Sequence, residues 1–114
     1  MTPSIHAVLD ALGDPTRRAM VSLLARGPIT VSALSEPLGV TVTAVGQHLR
    51  LLERAGLAAS EKRGRARYCR LRPESLRDLE HWAQQCRAEW EARFDRLGAV
   101  LDDMDPGAAP PLVR

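Results

Sequence analysis

The chain has 114 residues, 45% apolar and 26% charged, which fits a single globular domain with a modest core. No apolar run approaches the roughly 20 residues that a membrane span needs, and Asp10 and Asp14 interrupt any signal-peptide pattern near the N-terminus. The net charge is only +2, but residues 50–72 hold eight Lys/Arg against Glu53 and Glu61, a local +6 in a remainder of −4, and a positive patch of that kind points to nucleic acid.

In chain order, Ile5, Val8, Leu9 and Leu12 recur at helical spacing and predict a first helix that Gly13 ends. Asp14-Pro15 starts a second, with Asp14 as N-cap and proline at the first helical position. It runs to about Ala25, burying Met20, Leu23 and Leu24, and Gly27-Pro28 stops it. Thr30 caps a short third helix over about Val31 to Leu38, with Pro37 near its end and Gly39 after it. Thr41 caps a fourth, over about Val42 to Ala55, whose apolar face is Val45, Leu49, Leu52 and Ala55, and Gly56 closes it. From Leu57 the pattern changes: LAASEKR and ARYCRL suit two strands joined at Gly64-Arg65.

Pro73 opens a last helix to about Met104. Its apolar residues Leu76, Leu79, Ala83, Cys86, Trp90, Phe94, Leu97, Leu101 and Met104 approach a heptad seam. At about 1.5 Å per residue this helix is roughly 45 Å long, more than so short a chain can cover, and self-association is the simplest way to bury its stripe. The fold class expected is therefore mainly α with a small β-hairpin, a winged helix-turn-helix of order ααααββα, dimeric through its long last helix. Residues 1–104 form the DNA-binding and dimerisation domain, and the Pro/Ala-rich residues 105–114 a disordered tail.

Two helices joined by a short glycine-containing turn form a helix-turn-helix, whose second helix enters the major groove. Thr41, Val42, Thr43, Gln47 and His48 lie on its leading turns. Gln47 suits bidentate pairing with adenine, and Val42 and Thr43 suit a thymine methyl. Arg50 and Arg54 are placed for phosphates, and Thr41 can serve both its cap and a phosphate at the helix N-terminus. Lys62, Arg63, Arg65 and Arg67 crowd the hairpin tip, which would lie on the backbone or enter a narrow minor groove.

These residues also carry a family resemblance. LGDPTRR, TAVGQHLRLLERAGL and the basic EKRGRARYCRL hairpin resemble the ArsR/SmtB family of bacterial winged-helix regulators, over about residues 5–104. The resemblance implies a homodimer that represses transcription from a palindromic operator in double-stranded DNA and releases it when an inducer binds. It also implies that the first and last helices form the dimer interface, here Ile5, Val8, Leu9, Leu79, Ala83, Cys86, Trp90, Phe94, Leu97 and Leu101. Gly46 departs from the family's usual serine or other small residue, and glycine there costs a helix about 1 kcal/mol against alanine.

Many relatives bind metal through a Cys-x-Cys pair at the third helix. Thr30 and Ser32 stand at those positions and suit no soft metal. A second family site uses Asp, His, His and Glu on the last helices; Asp78, Glu80, His81, Glu89 and Glu91 supply one histidine and not the spacing. The expectation is no metal and no cofactor, with a cytoplasmic location and reduced thiols at Cys69 and Cys86. Both cysteines read as small buried hydrophobes, with Cys69 alone flanked by cations (Arg67 and Arg70) that would favour reactivity. Two alternatives stay open: a repressor responding to thiol oxidation or metal through Cys69, Cys86 or His81 and its neighbouring carboxylates, and a helical protein-interaction module without DNA specificity. An enzyme is not expected, since there is no glycine-rich phosphate loop and no nucleophile–base pair.

Overall fold

The computed structural model describes residues 4–104; the tail expected over 105–114 lies outside them. The elements run α1 (Ile5–Leu12), α2 (Pro15–Leu24), β1 (Ile29–Thr30), α3 (Val31–Leu38), α4 (Val42–Arg54), β2 (Ala58–Arg63), β3 (Ala66–Leu71) and α5 (Pro73–Met104). They fall into two compact units, Met1–Glu80 and His81–Arg114, so the boundary lies inside α5.

In the first unit, side-chain oxygens start four helices. Ser4, Asp14, Thr30 and Thr41 accept from the backbone N–H of Ala7, Arg17, Ala33 and Ala44 at 3.2, 2.9, 3.1 and 3.1 Å, satisfying N–H groups that have no partner within the helix. Ser4 alone among these caps is not anticipated by the sequence. Both helices of the helix-turn-helix end on a left-handed glycine: Gly39 has φ 65° and Gly56 φ 73°. In each case the next residue's N–H reaches back five positions, Val40 to Ser35 and Leu57 to Leu52.

The core is the meeting of the inner helical faces with the base of the sheet: Val8, Ala11, Met20, Leu24, Leu34, Val45, Leu49, Leu52, Leu57, Ala58 and Cys69. Leu23, expected inside with Met20 and Leu24, is only half-buried. Val8, expected on the dimer surface, is 1% exposed in the single chain and packed in the core. Ile5 and Leu9 are half-buried on the same helix.

The sheet has three strands in the order β1-β3-β2, all antiparallel. The hairpin is the expected one, with Ser60 opposite Cys69 and Lys62 opposite Arg67. The extra strand, β1, pairs Ile29 with Cys69 and Thr30 with Tyr68. Two residues directly after a Gly-Pro stop, the second of them the cap of α3, have no periodicity to detect; the pairing is made by the distant strand β3.

The first two turns of α5 close this unit. Ser75, 5% exposed, donates its hydroxyl to the carbonyls of Ala55 and Gly56 at 3.1 and 3.0 Å, and Leu76 and Leu79 pack on the core. In the second unit, Ala83, Cys86, Trp90 and Leu97 are exposed and Phe94 and Leu101 half-buried. Trp90, 60% exposed, stacks obliquely on Phe94 with ring centroids 5.9 Å apart. Cys86 is thus not a buried hydrophobe within the single chain. Arg87–Glu91 and Glu89–Arg93 pair at i, i+4 along the helix, at 3.7 and 2.8 Å. No helix among the described residues is long and apolar enough to cross a membrane.

Candidate nucleic-acid interface

The turn between α3 and α4 is fixed by local chemistry. Gly39 supplies the left-handed residue, Ser35 donates its hydroxyl to the Val40 carbonyl, and Thr41 caps α4. With Val45, Leu49 and Leu52 buried, helical geometry sends the other face of α4 to solvent. Thr43, Gln47, Arg50 and Arg54 follow one another there at spacings of four, three and four, and all are exposed. Val42, 48% exposed, flanks them at the first turn. A capped helix end presenting short polar residues first and arginines later has the shape of a groove-reading helix.

His48 does not join that stripe. Its side chain is 22% exposed and its Nδ1 lies 3.4 Å from Arg17 Nη1 and 3.9 Å from Asp14 Oδ2. Arginine can only donate, so the shorter contact makes Nδ1 an acceptor, whereas pairing with Asp14 would need a proton on it. The contact with Arg17 ties α4 to the start of α2. One position after Gln47 on a 3.6-residue helix is about 100° away, which turns His48 from the open face toward α2.

The LGDPTRR segment is the other end of that tie. Arg17 Nε donates to the Ala11 carbonyl at 2.7 Å, and Arg18 Nη1 to those of Leu12 and Gly13 at 2.8 and 3.1 Å. The two arginines thereby satisfy carbonyls at the end of α1 that the helix leaves open. Asp14 does the same for the N-terminus of α2, and the Arg17 backbone N–H it accepts, helped by the Arg17 charge, holds its carboxyl below the ordinary carboxylate value. The sequence marks this segment as distinctive without showing that it fastens α1, α2 and α4 together.

On the wing, strand alternation separates the basic residues. Ser60, Lys62, Arg67, Cys69 and Leu71 share the side on which Ala58 and Cys69 are buried; Glu61, Arg63, Tyr68 and Arg70 share the other. Arg63 is paired with Glu61 at 3.4 Å, an exposed contact of little energetic weight. Arg65 sits in the turn, and no ion pair among the described residues engages Arg50, Arg54, Lys62 or Arg65. Arg67 is not loose: its Nη1 donates to Ser60 Oγ, which in turn donates to Glu53 Oε2. Glu53 and Ser60 carry no distinguishing pattern in the sequence and are seen only in the fold. The buried Cys69 thiol is pushed up, first by desolvation and then by the Glu53 carboxylate, which makes it a poor nucleophile. Among the described residues, no three His, Cys, Asp or Glu side chains gather as metal ligands would.

Residues 12–61 match a family model described as a helix-turn-helix domain. The HTH-type transcriptional regulator Rv2034 of Mycobacterium tuberculosis is 44% identical over 69 residues, covering 60% of this chain and 64% of that protein. The transcriptional repressor SdpR of Bacillus subtilis is 29% identical over 78 residues, covering 68% and 87%. A solved ArsR family transcriptional regulator is 36% identical and superposes with a TM-score of 0.71, covering 75% of this chain and 89% of that one. This chain belongs to the ArsR family of transcriptional regulators. An ArsR-like regulator from Rhodococcus sp. RHA1, 29% identical, superposes at a TM-score of 0.81 over 89% and 93% of the two chains. The homodimeric winged helix-turn-helix DNA-binding domain Mb0332 of Mycobacterium bovis, 27% identical, does so at 0.60 over 75% and 79%. The chain spans just under two thirds of the length of Rv2034. Within the ArsR fold, α3 and α4 are the helix-turn-helix and β2–β3 the wing.

Proposed function

We propose that this ArsR-family chain is a homodimeric repressor that reads a palindromic operator with α4 and grips the flanking backbone with its wing. The observation that carries the proposal is the exposed stripe Thr43, Gln47, Arg50 and Arg54 on a capped helix, beside the wing cations Lys62 and Arg65, which have no ion-pair partner among the described residues. In this reading Val42, Thr43 and Gln47 meet base edges, while Thr41, Arg50, Arg54, Lys62 and Arg65 meet phosphates. The repressor SdpR and the homodimeric domain Mb0332 supply precedents for the action and the assembly. The pairing surface is the α5 stripe of Ala83, Cys86, Trp90, Phe94, Leu97 and Leu101, whose exposed apolar area favours a second copy. Signal reception through a thiolate pair at α3 has no place here, because Thr30 is committed to capping that helix and Ser32 is a hydroxyl.

Selection of bound duplexes from a random pool tests the reading. The expected product is a palindrome with half-sites about one helical turn apart, or a multiple of it, bound with affinity that falls steeply as salt rises. Equal affinity for selected and random duplexes would refute it and favour a protein-interaction module.

A further inference from the structure

Glu53 is the only carboxylate on α4, a helix whose open face otherwise carries polar residues and arginines. On a surface that meets phosphates, a carboxylate is unfavourable unless it has an internal task. Its surroundings supply one. Ser60 Oγ on β2 donates to Glu53 Oε2 at 3.2 Å and accepts from Arg67 Nη1 on β3 at 3.1 Å, so a single hydroxyl connects the helix with both strands of the wing. The same side of the hairpin places Lys62 opposite Arg67. Like charges facing each other across two strands destabilise a hairpin, and the hydroxyl that receives Arg67 is itself held by the Glu53 carboxylate.

We propose that Glu53, Ser60 and Arg67 form a strut that sets the wing against the recognition helix, with Arg67 a positioning residue rather than an independent phosphate contact. The proposal rests on the DNA-reading function above and assigns it two residues, Glu53 and Ser60, that touch no DNA. A helix in the major groove and a wing on the flanking backbone engage one duplex together only if their relative placement is held, and holding it in advance removes an ordering cost from binding. The strut thus acts on the site where both elements engage. It leaves general attraction to DNA untouched.

The test measures binding of the full chain to a duplex obtained by selection and to a scrambled duplex of equal length and composition, at a temperature where circular dichroism shows every variant folded. A wild-type chain with no preference between the duplexes would remove the DNA-reading function itself, and the strut with it. Where the preference exists, charge alone makes Glu53→Ala bind both duplexes more tightly. The strut instead makes Glu53→Ala and Ser60→Ala about three- to tenfold weaker on the selected duplex, the size of one ordinary hydrogen bond, with no loss on the scrambled one. Ser60→Thr, which keeps the hydroxyl, restores tight binding. In a double-mutant cycle, Ser60→Ala and Arg67→Ala combine to less than the product of their separate effects. Tighter or unchanged binding of Glu53→Ala to the selected duplex, or independent multiplication in the cycle, would overturn the strut.

Discussion

Gln47 stands exposed on the second turn of α4, and Arg65 stands in the hairpin turn with no ion-pair partner among the described residues. The two therefore do different work in the proposed complex. Gln47→Ala should remove about 1–3 kcal/mol of discrimination at one base position per half-site. Arg65→Ala should weaken every duplex alike and lower the salt slope by about 1. Binding to operators changed one base pair at a time separates the two, and equal losses on all sequences for Gln47→Ala would deny it a reading role. Ser75 is a residue-scale matter of stability. Its hydroxyl serves the carbonyls at the end of α4 from a position 5% exposed, so Ser75→Ala leaves buried acceptors unpaired. Urea unfolding should show a loss of about 1–3 kcal/mol without a change in slope.

At the scale of elements, the recognition helix carries an internal weakness in Gly46. A Cβ added there meets nothing within 4 Å, and the backbone is helical, so alanine fits without strain. Gly46→Ala should raise stability by about 0.5–1 kcal/mol, seen as a higher urea midpoint. Most element boundaries were legible in the sequence because they are set by neighbouring residues. Asp14, Thr30 and Thr41 cap the N–H three residues on, and Gly39 and Gly56 take the left-handed conformation that ends α3 and α4. The hairpin was legible for the same reason, through its alternation around Gly64-Arg65. β1 was not, because Ile29 and Thr30 become a strand only by pairing with Cys69 and Tyr68, some forty positions away.

For the molecule as a whole, the proposed assembly rests on the uncovered stripe of α5. Trp90 and Leu97 are 60% and 46% exposed in the single chain, an arrangement that favours a second copy over water. Trp90→Glu or Leu97→Glu should therefore yield monomers that bind DNA weakly, and sedimentation that still shows dimers would misplace the seam.

The candidate site divides along the same line as the fold. The sequence alone determined that α4 exists, which of its faces is apolar, and that a basic hairpin follows it, because caps, periodicity and charge are properties of residues close together in the chain. Only the tertiary structure decided the direction of individual side chains. It placed Val8 in the core and turned His48 to Arg17, thirty-one positions away. It also drew Arg67 back through Ser60 toward Glu53 and carried Ser75 to the end of α4. Each of these depends on which elements come within about 3 Å of one another, and hydrogen bonds of that range are decided by packing between distant segments rather than by the order of neighbours.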